Sequence, residues 1–244
     1  MDNVAGMNMI PDEFIDLTVT SPPYDKLRNY NGFVFDFEAV AKELYRVTKQ
    51  GGVVVWVVGD ATVKGSETGT SFKQALYFKE IGFNLHDTMI WHKPNAMPQV
   101  DRIRYTQSFE YMFVFSKGKP SKTNLRKIPT LNAGKTIKRT TKQQQNINKN
   151  FRVDTTNPTR VDFNVYILNI GGRKEAEHPA IFPEKLAEDH ILSWSNPGDI
   201  VLDPMCGSGT TCKMAARNDR RYIGIDISDE YCNIARTRIK QSRT

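Results

Sequence analysis

Cysteine and histidine are scarce: Cys206, Cys212, Cys232 and four histidines are spread through 244 residues. There is no Cys-x-x-Cys pair and the cysteines make no even set, which argues against both a disulfide framework and a zinc site. No metal is expected. No apolar run reaches membrane-spanning length, and Met1-Asp2-Asn3-Val4 carries no basic, apolar leader. A cytoplasmic protein with reduced thiols and no membrane partner is the expectation. Acids are missing from one stretch. Between Lys117 and Arg160 twelve Lys or Arg stand against Asp154 alone, so this segment carries +11 of a whole-chain +7 and the remainder is net acidic. One basic insert on an acidic core suits a polyanion met at one place, or else a solvated loop.

What is present is strand–helix alternation, the mark of a layered α/β fold. Phe14 to Thr20 reads as a buried strand between Pro11-Asp12 and Pro22-Pro23. Phe35 to Thr48 has apolar residues at helical spacing and stops at Gly51-Gly52. Gly52 to Gly59 is apolar throughout, as a central strand covered on both faces must be. A looser stretch, Asp60 to Ser71, precedes a helix from Ser71 or Phe72 to Ile81. Strands are expected at Leu85 to Lys93 and Glu110 to Ser116. Ser121 to Thr159 has no sustained period and reads as irregular. Regular texture returns at Val161 to Ile170. A helix follows from Glu184 to Ser195, a strand at Asp199 to Asp203, a helix from Thr210 to Asn218, a strand at Tyr222 to Ile227 and a helix from Asp229 to Ile239.

Two motifs stand at the carboxyl ends of expected strands, where open α/β sheets place their ligands. In Ser21-Pro22-Pro23-Tyr24 the prolines remove two N–H donors. The Ser21 hydroxyl and the turn carbonyls remain as acceptors beside an aromatic ring, which suits an exocyclic amine on a planar base; a plain proline-rich exit turn is the alternative. In Asp203-Pro204-Met205-Cys206-Gly207-Ser208-Gly209-Thr210-Thr211 the glycines permit close approach to backbone at a helix start, or serve packing alone. No Lys follows Gly209, which excludes a phosphate-binding P-loop, and the third glycine of a dinucleotide fingerprint is missing. Asp226 stands at the end of the next strand, where a carboxylate caps ribose hydroxyls. A nucleoside cofactor without a pyrophosphate fits these features.

Together with His178-Pro179-Ala180-Ile181-Phe182-Pro183 and Asp2, the two motifs resemble the amino-methyltransferases that modify DNA with S-adenosylmethionine. The catalytic motif comes first and the cofactor motif last, with a basic region between, as in the group called beta. The resemblance spans nearly the whole chain and is weakest from Ser121 to Thr159. It implies a Rossmann-like α/β methyltransferase fold: a mostly parallel central sheet with helices on both faces, permuted motif order, and a basic target-recognition insert. Residues 1–244 would form a single domain with the insert at 117–160.

By the resemblance Ser21, Pro22, Pro23 and Tyr24 are catalytic. Asp203, Pro204, Met205, Cys206, Gly207 and Gly209 wrap the methionine end of the cofactor. Asp226 takes the ribose with Ile227 beside the adenine, Phe182 and Pro183 flank the methionine moiety, and Asp2 lies near the adenine amine. Met205 stands where the family usually has Phe, and the sequence leaves no room for the edge strand that normally precedes the acid at Asp2, so either the start is truncated or the edge is handled differently. Cys206 is read as loop packing, because the family transfers methyl directly to nitrogen. Lys93, Arg102 and Arg104, in segments beginning Trp91-His92-Lys93-Pro94-Asn95 and Arg102-Ile103-Arg104-Tyr105, and Lys135, Lys138, Arg139 and Lys142 in the insert, are the candidate contacts to double-stranded DNA.

The implied reaction is site-specific transfer of methyl to the exocyclic amine of a flipped base, in a prokaryotic cell or a phage-infected host. Ser in the first motif position and the His-Pro-Ala-x-Phe-Pro segment favour the cytosine 4-amino group. The adenine 6-amino group is the alternative, and an idle nucleic-acid-binding protein is the alternative from another class. The resemblance leaves room for a homodimer and for a cognate restriction endonuclease.

Overall fold

The computed structural model describes residues 1–23, 35–98, 103–131, 135–140, 151–155, 157–170 and 183–242, with 136–140 and 151–155 described as backbone. The chain opens with α1 (Asn3–Met7), a short helix capped by the Asp2 carboxylate on the Ala5 N–H at 3.0 Å. The sequence pattern held no sign of it, since five residues carry too little period to read. β1 (Ile15–Thr20) is buried along its whole length. α2 (Phe37–Val47) buries Val40, Ala41, Leu44 and Val47 and is capped by Asp36. β2 (Thr48–Val58) follows directly, four residues earlier than the valine run suggests, because Thr48 already pairs with Ile15.

The looser stretch holds a small hairpin, β3 (Thr62–Val63) with β4 (Ser66–Glu67). Next come α3 (Thr70–Glu80), β5 (Asn84–His92) and β6 (Phe109–Ser116). The region expected to be irregular contains three short strands, β7 (Lys127–Pro129), β8 (Thr136–Thr140) and β9 (Phe151–Thr155), and β10 (Thr159–Val161) starts at its end. β11 (Val165–Ile167), α4 (Glu184–Trp194), β12 (Ile200–Asp203), α5 (Thr210–Arg217), β13 (Arg221–Gly224) and α6 (Asp229–Gln241) complete the chain.

Seven strands form one sheet in the order β11-β5-β6-β2-β1-β12-β13. β1 is parallel to β2 and β12, β12 to β13, and β5 to β11; β6 alone runs against its neighbours. The mostly parallel Rossmann-like sheet is therefore as expected. Val54, Trp56 and Val58 meet Val40 and Leu44 of α2 and Phe78 of α3 on one face. α4 packs on β1, and α5 on β12 and β13, with α4, α5 and α6 touching in series. Cover on both faces explains why Val53 to Val58 is apolar without alternation. The chain leaves β1 for β2 on one side, while β12 lies on the other, so strand order reverses between β1 and β12. Ligand crevices open at such a point.

Residues 125–163 form a second compact unit, separate from the one that holds the sheet. In it β7 pairs with β10 and β8 with β9, both antiparallel. Arg126 binds Asp162 at 2.6 Å and the Arg160 guanidinium lies 4.4 Å from the Phe163 ring. Three lysines counted with the basic segment, Lys117, Lys119 and Lys122, belong instead to the sheet unit. Lys117 binds the Tyr45 and Thr48 carbonyls, and Lys122 pairs with Asp16 and Asp199 at the amino ends of β1 and β12. Among the described residues no helix is long and apolar enough to cross a membrane.

Candidate active site at the ends of β1 and β12

Two motifs 183 residues apart meet through one hydrogen bond. The Thr20 hydroxyl, last in β1, donates to Asp203 Oδ1, last in β12, at 2.7 Å. Both residues are buried. Burial strips water from the Asp203 carboxylate and raises its pKa to about 6, against the opposing bonds from Thr20, the Met205 N–H and Thr211. A carboxyl in this state, at the mouth of the reversal point, is suited to a cationic partner that restores its charge.

From Asp203 the chain turns through Pro204 and Met205. The Cys206 N–H donates to the Ile225 carbonyl at 2.9 Å, and the Ile225 N–H to the Asp203 carbonyl at 2.9 Å. β13 closes at Gly224, so Asp226 sits beyond the strand rather than at its end. There its two oxygens accept the Gly207 N–H at 2.8 Å and the Ser228 N–H at 2.9 Å. Each carboxylate oxygen keeps a lone pair, and the half-buried side chain can still take hydroxyls. Ile227 beside it is exposed. The Met1 amino group donates to the Asp226 carbonyl at 2.8 Å, which brings Asp2 beside the acid even though α1, not an edge strand, carries it there.

Gly209 has φ +81°, and a Cβ on it would come within 2.6 Å of the Ala235 Cβ on α6. Packing against α6 is thus reason enough for this glycine, beside any need for ligand approach. Gly207 also has positive φ. The Cys206 side chain is buried with Cys212 and Ile239. The neighbouring Cys212 thiol and burial push its own pKa upward, so it holds no thiolate and packs the loop.

At the end of β1, Pro22 is buried while Ser21 and Pro23 are half-buried; Tyr24 lies outside the described residues. Pro183 immediately precedes α4, which packs on β1 and α5; Phe182 lies outside the described residues. Pro204 is buried and Met205 half-buried within the turn, with Met205 packed against the core.

The proposed DNA contacts are placed unevenly. Lys93 is not a free cation: its ammonium binds Glu110 at 2.7 Å with both side chains largely covered, and it lies 5.2 Å from the Trp91 ring. Arg104 donates to the Gly65 carbonyl. Lys135 is exposed. Lys138 and Arg139 pair across the β8–β9 ladder with Val153 and Arg152, and Arg102 and Lys142 lie outside the described residues. Among the described residues no group of three or more His, Cys, Asp or Glu could hold a metal ion.

The sequence motifs give no role to Thr20 or Thr211, and no pattern reveals Glu184, Lys213 or Arg238. Thr211 donates to the Val19 carbonyl at 3.0 Å, fixing α5 to β1. Glu184 Oε1 accepts Lys213 at 2.5 Å and Arg238 at 3.0 Å. Polar groups that bind backbone or one another leave no period in the sequence; only the place of Thr20 directly before Ser21 and of Thr211 at the end of the second motif could have signalled them.

The site fits a nucleoside carrying a cation: a carboxylate with spare acceptors at Asp226, and a buried acid at Asp203. A DNA methylase family model matches residues 15–237. The orphan methyltransferase M.BamHII of Bacillus amyloliquefaciens is 59% identical over 249 residues, covering 95% of this chain and 91% of that protein. The type II methyltransferase M.SmaI of Serratia marcescens is 28% identical, covering 96% and 87%. A DNA modification methylase of Thermus thermophilus, solved with S-adenosyl-L-methionine, is 26% identical with a TM-score of 0.65, covering 99% of this chain and 93% of that one. The cytosine-N4-specific PvuII DNA methyltransferase shares the fold, with a TM-score of 0.72 at 22% identity over 98% and 84% of the two chains. The chain belongs to the DNA methylases of the N4/N6 amino group, enzymes that methylate DNA with S-adenosylmethionine.

Proposed function

We propose that the enzyme methylates the 4-amino group of a cytosine swung out of duplex DNA. The observation that carries this reading is Ser21 at the head of the catalytic motif, one residue past the Thr20 that joins β1 to the cofactor loop. Members of the family with Asp in that position usually act on the adenine 6-amino group. A base inside the stack cannot present its amine to a site at a sheet crevice, so flipping is required and costs a few kcal/mol.

S-adenosylmethionine supplies the methyl group as a sulfonium electrophile. Asp226 holds the ribose, and the turn from Asp203 to Gly209 holds the methionine end. Asp2, Ile227, Phe182 and Pro183 line the remainder. The Ser21 hydroxyl and the Pro22 carbonyl accept the N–H groups of the target amine. Because the amine lone pair is delocalised into the ring, these acceptors act most strongly as the nitrogen becomes tetrahedral, which lowers the barrier rather than the ground state. Pro23 keeps the turn rigid and Tyr24 stacks on the base.

The unit spanning 125–163 is assigned to DNA through Lys135, Lys138, Arg139 and Lys142, with Arg102 and Arg104 as contacts from the sheet unit. Mapping of modified bases in DNA from cells expressing the chain tests the target. Appearance of 4-methylcytosine at one sequence supports it, and 6-methyladenine in its place overturns it.

A further inference from the structure

Arg238, in the last turn of α6, reaches the glycine turn and α4 at once. Its Nη1 donates to the Ser208 carbonyl at 2.7 Å and to the Ser208 hydroxyl at 2.8 Å, while Nη2 donates to Glu184 Oε1 at 3.0 Å. The Arg238 side chain is only 13% exposed and that of Glu184 29%. Lys213 of α5 binds the same Glu184 oxygen at 2.5 Å, so one carboxylate answers two cations. Ser208 sits between two glycines of positive φ, Gly207 and Gly209. Such a peptide has little conformational restraint of its own. A planar guanidinium with donors in a fixed fork supplies that restraint, as an ammonium cannot. Glu184 directly follows Pro183, so the other end of the fork holds the start of α4.

We propose that Arg238 is a positioning residue for the cofactor, a clasp that fixes the glycine turn to the N-terminus of α4 and so sets the width between two walls of the cofactor site. The clasp touches neither base nor methyl group in this assignment. It rests on the reading of the 203–209 turn as the cofactor loop. Losing it should loosen cofactor binding while leaving the transfer step itself intact once the site is filled.

Calorimetry with S-adenosylmethionine and steady-state methylation of a DNA duplex test this in the full chain. Arg238→Met is expected to raise Kd and KM for the cofactor about tenfold, as loss of charge-assisted bonds at a loop does, with kcat at saturation within about twofold and DNA affinity unchanged. Arg238→Lys should recover part of the loss, since one ammonium can serve Ser208 or Glu184 but not span both. Glu184→Gln should add little on top of Arg238→Met. Cofactor affinity within about twofold of wild type in Arg238→Met overturns the clasp, and so does a fall in kcat and melting temperature at unchanged Kd. Should Arg238→Met not fold, Arg238→Lys decides by the same affinity criterion. Asp226→Ala serves as the reference: if it leaves cofactor affinity unchanged, the site reading fails; if it weakens affinity while Arg238→Met does not, only the clasp fails.

Discussion

Burial of Asp203 beneath the Thr20 hydroxyl removes its water and raises its pKa from 3.8 to about 6. A carboxyl whose pKa is higher in the folded state stabilises the fold below the unfolded value and loses that contribution as pH rises through the folded one. Without cofactor, the Asp203 contribution to stability should therefore fall between pH 4 and 6 by a few kcal/mol, at about 1.4 kcal/mol per pKa unit. Asp203→Asn keeps the size and an acceptor oxygen but cannot ionise, so the fall should vanish from its melting curves across that window. A wild-type slope in the variant would assign the titration to another group. Asp16 works in the opposite sense. Burial alone would raise its pKa, but the Ile200 N–H, Lys122 and Lys49 together hold it below the ordinary value, so its contribution is lost on acidification. Asp226 has two roles, capping the Gly207 and Ser228 N–H groups and, in the proposed function, taking the ribose hydroxyls. Asp226→Ala should cost cofactor binding about 1.5–3 kcal/mol, the scale of a lost hydrogen bond to a charged group. Calorimetry showing wild-type affinity would remove Asp226 from the site.

At the scale of elements, α5 and its glycine turn depend on packing against α6. Gly209→Ala places a methyl group against Ala235 at a φ that L side chains rarely adopt, and should lower stability by about 1–3 kcal/mol. Thermal unfolding at the wild-type temperature would show that α6 yields. Of the basic residues assigned to DNA, Lys138 and Arg139 lie in the β8–β9 ladder and Lys135 directly precedes it, while Lys142 is outside the described residues. Neutralising Lys135, Lys138, Arg139 and Lys142 together should reduce the slope of log affinity against log salt by about two to three, at about 0.9 for each phosphate no longer neutralised. An unchanged slope would make the charge run a solvated surface. The strands within 125–163 were not legible in the sequence for a physical reason. β10 is exposed along its length and β7 alternates only weakly, so neither has a buried face to impose a period of two. β1, α2 and β2 were legible because each buries a face or both. The two motifs were legible as chemistry at strand ends. What joins them was not, since the Thr20–Asp203 bond and the Arg238–Glu184–Ser208 contacts link residues far apart in sequence and unlike in type.

Across the whole molecule, one strand order places two chemistries side by side. β1 and β12 are neighbours at the reversal point, and the group that ends each is bonded to the other. In the proposed division, the turn after β12 binds the cofactor and the turn after β1 acts on the base, so a change in the second should spare the first. Pro23→Ala tests this most directly, because it leaves Asp203, Asp226 and the glycine turn untouched. The measurement is the single-turnover rate of methyl transfer to a DNA duplex, taken at cofactor concentrations shown by calorimetry to saturate the variant. The expected result is wild-type cofactor affinity with a rate lower by about 100-fold or more, the scale of misplacing the Ser21 and Pro22 acceptors once the turn that aims them loosens. A rate within about twofold of wild type would contradict the assignment of catalysis to the Ser21-Pro22-Pro23 turn.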